Sequence, residues 1–193
     1  MPVERDGLYY EHFTTNLANG QYEIYYDNGQ LKYKRTYKDG KLDGLYEKYY
    51  DNGKLGERVT YKDGKRNVGV GGYWYKNGQL KQRTVFKNLK ADGLWETYHE
   101  NGQLKEVRVY KNGKQEGLRE EYYDNGQLKI KSFYKDGKKD GIFEFYFEDG
   151  QLKNRMTHKD GKYDGLAESY KADGTLIYKC FYVKDVEYEC EYY

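Results

Sequence analysis

Polar and apolar residues alternate along most of this chain in short runs, and Asn-Gly or Asp-Gly pairs interrupt the runs at regular intervals. From Gly20 the chain reads GQYEIYYDNGQLKYKRTYKDGKLD, and from Gly44 it reads GLYEKYYDNGKLGERVTYKDGKRN. Further copies begin at Gly69, Gly93, Gly117, Gly141 and Gly165, about 24 residues apart except for one step of about 25 into Gly69. Alternation with period two is the signature of a half-buried strand, and no segment sustains a helical period. Each copy carries two turn signals, of the types Asp27-Asn28-Gly29 and Lys38-Asp39-Gly40. The pattern therefore predicts an all-β protein. It is an elongated, twisted, single-layer antiparallel meander of tandem β-hairpin repeats, forming one array over 1–193. An N-terminal partial repeat covers 1–19, where HFTTNLANG resembles VFKNLKADG from a later copy. The seven full repeats cover 20–176, and closing strands follow at 177–193.

Loop length decides which side chains share a face. Two-residue Asn-Gly or Asp-Gly loops are the default. A three-residue loop ending in a left-handed Gly instead places Tyr25 opposite Leu31 and Tyr37 opposite Lys41. That register gathers the most repeated side chains on one face, and it is the favoured reading. The first face then holds Tyr25, Tyr49, Trp74 and Tyr98, Leu31, Leu55, Leu80 and Leu104, and a row of Glu23, Glu47, Glu96, Glu120, Glu144 and Glu168. It reads as the core, with the Glu row accepting bonds from Tyr hydroxyls. Acid-base catalysis needs two carboxylates in unlike environments, whereas a ladder gives all of them the same one. The opposite face carries a Lys/Arg stripe, including Lys32, Lys34, Arg58, Lys81 and Arg155, beside aromatics such as Tyr22, Tyr46, Tyr50 and Phe143. Basic residues interleaved with aromatics form either a binding face or a solvated face whose Lys stems cover the rings. If it binds, the candidate residues are Arg83, Trp95, Lys105, Tyr123, Lys129 and Lys131.

Composition narrows the function classes. The chain has 26 Tyr against 7 Phe, 34% charged residues and a single Pro. This many aromatics argues against disorder, and Tyr suits a thin sheet because its hydroxyl stays wet. A formal net charge of only +2 argues against nucleic acid as a partner. His12, His99 and His158 stand apart without metal-ligand spacing. Neither Ser132 nor Ser169 lies in a nucleophile elbow, and Gly69-Val70-Gly71-Gly72 lacks the helix signal and Lys-Ser/Thr of a phosphate loop. We expect no catalytic residue, cofactor or metal, and hence a non-enzymatic protein. The third copy is irregular from Asn67 to Gly72, with Gly72 where others have Glu and Leu89 where others have the turn Gly, which reads as a kink in the sheet. Cys180 and Cys190 fall diagonally on one hairpin, leaving a disulfide and a reduced pair equally open. No stretch is long and apolar enough to span a membrane, and Met1 to Gly7 lacks an apolar signal region. The expectation is a soluble protein, cytoplasmic or exported with its leader removed.

The unit DG-L-x-E-x-Y-Y-x-N-G-x-L-K followed by Y-K-x-G-K-x-D-G is carried by Asp43 to Lys54 with Tyr61 to Lys65, and again by Asp140 to Lys153. It resembles the bacterial variant of the MORN repeat. The resemblance implies stacked hairpins. Because the variant also occurs in YwqK-type antitoxins, it further implies a proteinaceous toxin or, in exported members, a host protein as partner. The functional expectation is a scaffold that binds a protein partner along its sheet. The alternative is a membrane-associated binder of anionic phospholipid headgroups, and edge-to-edge self-association is a third mode of contact.

Overall fold

The computed structural model describes residues 1–67 and 69–193; Val68, within the irregular stretch of the third copy, lies outside the described residues. Strands and tight turns make up the described chain, every pairing is antiparallel, and consecutive strands pair in a meander of repeated hairpins. Two compact units are distinguished. Residues 1–91 and 100–102 form the first, and residues 92–99 and 103–193 form the second.

The first unit begins with a small hairpin, β1 (Val3–Arg5) and β2 (Leu8–Tyr10). Its sheet runs through β3 (Gly20–Tyr25), β4 (Leu31–Lys38), β5 (Lys41–Tyr49), β6 (Leu55–Lys62), the short β7 (Lys65–Arg66), β8 (Gly69–Trp74) and β9 (Leu80–Lys87). The second unit holds β10 (Lys90–Tyr98, save its first two residues), β11 (Leu104–Lys111), β12 (Lys114–Tyr122), β13 (Leu128–Lys135) and β14 (Lys138–Tyr146). It continues with β15 (Leu152–Lys159), β16 (Lys162–Tyr170), β17 (Leu176–Val183) and β18 (Val186–Tyr192).

The first turn of each copy has the expected three-residue form. Tyr26 N donates to Gln30 O at 2.8 Å, Gly29 N donates to Tyr26 O at 2.9 Å, and Gly29 takes φ 81°. Tyr25 accordingly faces Leu31. The second turn corrects the expectation. Lys38 faces Lys41 and Tyr37 faces Leu42, leaving Asp39-Gly40 as a two-residue loop with φ 47° and 73°. Both signs fit a type I′ turn, whose twist matches that of the flanking strands and whose first position Asp tolerates.

Bulges then sort the faces. Ile24 pairs with Tyr33 while Tyr25 pairs with Leu31, so Lys32 is an extra residue. The same slip recurs at the first hairpin of the later copies. One extra residue inverts the alternation beyond it. Between the two turns, Arg35 pairs with Tyr46 and Tyr37 with Leu42, which leaves two extra residues in β5 and bends the strand without inverting it. Glycine makes that bend. At Gly141, φ is 113° and an added Cβ would stand 3.3 Å from Phe133 Cβ.

The expected core face is not the most buried one. Tyr37, Val59, Ile130, Phe143, Ala167 and Cys180 are buried, as are the polar Ser132 and His158. Strand register puts them all on the face of Tyr46, Trp95 and Phe143. We call this the packed face. The other, the Glu face, is half-buried, and its Tyr25 is 55% exposed. Aromatics on the packed face cover one another: Tyr46 lies 5.7 Å from Tyr61 and Phe143 lies 5.7 Å from His158.

Turn polar groups are satisfied by the neighbouring copy. Gly64 N donates to Leu42 O, Gly137 N to Gln115 O and Gly161 N to Lys139 O. Asp43, Glu116 and Asp140 accept from the backbone N–H of Asp63, Asp136 and Asp160. Asn19 accepts from Asp39 N at 2.9 Å in the same way, and Gly40 N donates to the fully buried Ala18, so the end of the partial repeat acts as a repeat tail. At the first turns, Tyr26 Oη donates to Tyr49 O and Asn28 Nδ2 to Asp51 O; Tyr123 and Asn125 repeat the pattern onto Tyr146 O and Glu148 O.

The irregular third copy is a broken strand. β7 pairs with the end of β6, and β8 rejoins β6 at Arg58–Gly72 and Glu57–Tyr73. Gly72 permits a close approach: a Cβ there would stand 2.5 Å from the Trp74 indole. Leu89 adopts φ 64° in the glycine position of its turn and is 54% exposed.

The turn geometry makes a testable distinction. Gly126 has φ 85°, and an added Cβ would meet only the Gln103 amide, at an ordinary 3.9 Å, so Gly126→Val loses mainly backbone comfort, by about 2 kcal/mol. Asn125→Ala loses its bonds to Glu148 O and Gln127 N, a loss of about 1 kcal/mol. Urea midpoints should fall in that order, and the reverse order would contradict the left-handed turn.

Candidate binding surfaces

The bulge after each Leu splits the expected basic stripe into two sets. Lys34, Arg58, Lys131, Arg155 and Lys179 pair directly with Glu23, Glu47, Glu120, Glu144 and Glu168, so they belong to the Glu face. Arg58 Nε reaches Glu47 Oε1 at 2.7 Å, and Arg155 Nε reaches Glu144 Oε1 at 3.0 Å. The second carboxylate oxygen accepts a tyrosine hydroxyl: Tyr49 to Glu47 at 2.9 Å, Tyr122 to Glu120 at 2.7 Å and Tyr146 to Glu144 at 2.8 Å. The Glu row is thus an acceptor ladder, as its repetition suggested. The second set is the extra residues themselves. The ammonium groups of Lys32, Lys81, Lys129 and Lys153 lie 5.1, 5.3, 5.6 and 5.3 Å from the rings of Tyr26, Tyr75, Tyr123 and Phe147. These stems cover the rings as cation–π pairs.

The six candidate residues therefore do not form one surface. Arg83 lies in the first unit, opposite Gly72. Trp95 is half-buried on the packed face, 5.6 Å from the Tyr110 ring, and Lys131 is on the Glu face. Lys105, Tyr123 and Lys129 do come together. With His99, Glu121, Asp124, Asn125 and Glu148 they line a depression of 590 Å³ in the second unit.

Sequence reasoning missed several residues of this depression. His99 takes the turn position held by Tyr26, Tyr50, Tyr75 and Tyr123 in other copies, and that departure was the available signal. Its Nε2 lies 3.3 Å from Tyr122 O, replacing the tyrosine hydroxyl, while Nδ1 lies 2.7 Å from Asp124 Oδ1. Beneath it runs an ion network on the packed face. Arg119 bridges Glu106 and Glu121, each at 2.7 Å, and Lys129 reaches Glu121 Oε1 at 2.8 Å. Burial works to raise the Glu121 carboxyl, but the bonds and charges of Lys129 and Arg119 outweigh it and hold the group below the ordinary carboxylate range. The Lys129 ammonium is raised by its bond to Glu121.

Cys180 and Cys190 are directly opposite and form a disulfide. The diagonal placement expected from sequence fails because β18 carries its own extra residue between Glu187 and Glu189. The Glu187 carboxylate lies with the two sulfurs inside a 4.8 Å cluster, but disulfide sulfurs are not thiolate donors for a metal. His158 is buried among Phe143 and Tyr163, and burial with the nearby Lys139 charge lowers its pKa, which is the setting of a core histidine.

The family model described as MORN repeat variant matches residues 18–39, 42–63, 69–88, 91–112, 115–136, 139–160 and 163–184. The chain belongs to the MORN repeat variant family. No curated protein matches it. In this MORN variant chain every family segment ends at a second turn and all but those starting at 18 and 69 begin just after one, so each covers the pair of strands joined by a first turn.

The Tyr–Glu ladder sets an alkaline limit. Burial first, and the Glu bond second, push Tyr122 and Tyr146 from 10.0 to about 12. A phenol raised on folding stabilises fully below its unfolded value, and that contribution is lost as pH rises through the folded value. Thermal midpoints should hold up to about pH 10 and fall between there and about pH 12, with a late-titrating tyrosine class at 295 nm. Tyr122→Phe should remove part of that late class. Uniform titration near 10 would contradict the ladder.

Proposed function

We propose that this chain is a non-catalytic repeat scaffold that binds a polypeptide partner across the strands of its Glu face. The observation that carries the reading is a partly exposed row in the second unit with one side chain per strand, apolar at every strand but β15, which supplies Thr157. Leu94 faces Val109, Leu118 faces Phe133, Ile142 faces Thr157 and Leu166 faces Phe181. Leu94 and Ile142 are each 45% exposed, Phe133 38% and Phe181 47%. Single exposed apolar residues are ordinary, whereas a contiguous row repeated strand after strand is a surface awaiting cover. The row ends in a hollow of 250 Å³ bounded by Leu166, Phe181, Lys179, Glu189 and Glu191.

The charges beside the row favour protein over lipid. On one side Glu144 and Arg155 form an ion pair and Glu120 and Glu168 face Lys131 and Lys179, so the row is flanked by mixed charge rather than by a free basic field. Anionic headgroups need the latter. The resemblance to YwqK-type antitoxins makes a proteinaceous toxin the first partner to try. The Cys180–Cys190 disulfide adds exported and host-surface proteins to the search, because such bonds persist in oxidising compartments.

Phe133→Asp and Ile142→Asp should keep the parent circular dichroism spectrum and lower partner capture about tenfold or more, since central apolar contacts dominate interface energy. Capture equal to the parent for both variants would move the contact off this row. Salt-sensitive sedimentation of the parent chain with acidic vesicles would replace the protein reading with the lipid one.

A further inference from the structure

The repeats serve as controls for one another, and one copy that has a turn tyrosine lacks the extra lysine. Where copies carry both an extra Lys after the turn Leu and a Tyr or Phe at the turn, the ammonium stands over that ring, as at Lys32 and Tyr26, Lys81 and Tyr75, Lys129 and Tyr123, and Lys153 and Phe147. In the copy beginning at Gly44 the extra residue is Gly56, and the aromatic is Tyr50. Among the described residues no cation stands over the Tyr50 ring. In place of the lysine there is a hollow of 220 Å³, lined by Lys48, Tyr49, Tyr50, Gly56, Glu57 and Tyr73.

We propose that this hollow receives the ammonium group of a lysine side chain presented by the partner. The wall chemistry fits that group. Tyr50 offers a ring that no described cation covers, Tyr73 stands beside it with Arg66 5.8 Å from its ring, and Glu57 adds a carboxylate that it shares with Arg66. A cation over one aromatic face with an acid at the edge is favoured over a neutral group of the same shape. The wall is also held in place. Tyr50 Oη donates to Trp74 O at 2.7 Å, and Arg66 ties the Glu57 carboxylate at 2.6 Å to the Tyr73 hydroxyl, which it also bonds. Lys48 is the cation among the lining residues; it is exposed, and its long stem can carry its charge into solvent. The backbone at Gly56 does not require glycine, since its φ is not positive, and the residue's absence of a side chain is what opens the hollow. Tyr50 has leaned toward the gap: a Cβ at Gly56 would stand 3.1 Å from its Cε2 and 3.3 Å from its Cζ, so a lysine there moves the ring back by a few tenths of an ångström.

The source of the ammonium rests on the polypeptide-scaffold reading, whereas the affinity of the hollow for a cation does not. The test titrates the full chain with Nα-acetyl-lysine amide at constant ionic strength and follows the ring NMR signals of Tyr49, Tyr50, Tyr73 and Tyr123. Nα-acetyl-norleucine amide is the neutral control and tetramethylammonium the quaternary one. We expect saturable shifts at Tyr50 and Tyr73 with the lysine amide, none with the norleucine amide, and little change at Tyr49, whose side chain belongs to the Glu face, or at Tyr123, whose ring Lys129 already covers. Gly56→Lys, which restores the residue type of the other copies and so should fold, should weaken the lysine-amide effect about fivefold or more. Tyr50→Phe, which keeps the ring, should retain it. Shifts that do not saturate, that survive Gly56→Lys unchanged, or that appear equally at Tyr123 would overturn the proposal. Binding of tetramethylammonium without the lysine amide would overturn lysine as the occupant. A chain that ignores the probe yet captures a partner through Phe133 and Ile142 defeats this inference alone, and a chain that binds the probe at Tyr50 but captures no polypeptide defeats the scaffold reading alone.

Discussion

The structure depends on a simple constraint: a repeat cannot satisfy its own turns. Tight turns leave backbone N–H groups pointing outward, and here the next repeat or the previous one takes them. Asp140 accepts from Asp160 N, and Gly161 N donates to Lys139 O, so the second turn of one copy is closed by the strand that precedes it by one repeat. At the other edge Tyr123 and Asn125 close the carbonyls of Tyr146 and Glu148. The recurring Asp-Gly that opens each strand is thereby explained. Its Asp serves the neighbouring turn, and its Gly, as at Gly141, lets the preceding strand's side chain cross over the backbone. Such an array gains stability from each neighbour added, so interior copies should be held more firmly than terminal ones.

That constraint shows why the fold was legible in the sequence and the faces were only partly so. Turn positions repeat because their hydrogen bonds repeat, and Gly29 in its left-handed conformation could be read from Asp-Asn-Gly with its flanking Tyr25 and Leu31. Bulges leave no comparable mark. Lys32 looks like one more polar residue in an alternating run, yet as an extra residue it inverts everything after it in β4. Counting by twos therefore put Lys34 and Arg58 on the wrong face, named the wrong face as the core, and grouped Lys131 with Lys129. The second turn was misread for a related reason: Lys-Asp-Gly fits either a two- or a three-residue loop, and only the pairing of Tyr37 with Leu42 separates them. Of the candidate residues, Lys105, Tyr123 and Lys129 were found together because all flank a first turn, the element that had been read correctly.

Departures from the repeat carry information that the repeat itself does not. A residue shared by every copy serves the stacking, and a departure is tolerated where stacking survives it. His99 still reaches the carbonyl that a tyrosine hydroxyl reaches elsewhere, so the stack is kept while an imidazole and Asp124 are placed at a depression. Gly56 removes a lysine that covers a ring but bonds no neighbouring turn, so the stack again survives and a ring is bared. Gly72 differs. It removes a glutamate from the ladder and admits the Trp74 indole over the backbone, and the strand there is broken into two. That is a change in the scaffold, not a surface placed upon it.

Internal use of charge decides what kind of recognition remains. A third of the residues are charged, yet the net charge is +2, and the pairs are short-range: Arg155 with Glu144, Arg119 with Glu106 and Glu121, Lys62 with Asp43. Paired charges project little field beyond a Debye length, so they steer an approaching partner weakly. Partly exposed pairs such as Arg155 with Glu144 add little stability each, and their place in the ladder is to keep a half-buried Glu face soluble beside its apolar row. On the proposed scaffold reading, recognition comes from contact: apolar side chains at strand spacing, and individual cations or acids that fit a particular hollow. Contact recognition is tuned through dissociation more than through association, and it allows one repeated fold to distinguish partners by single substitutions at positions the stacking does not use.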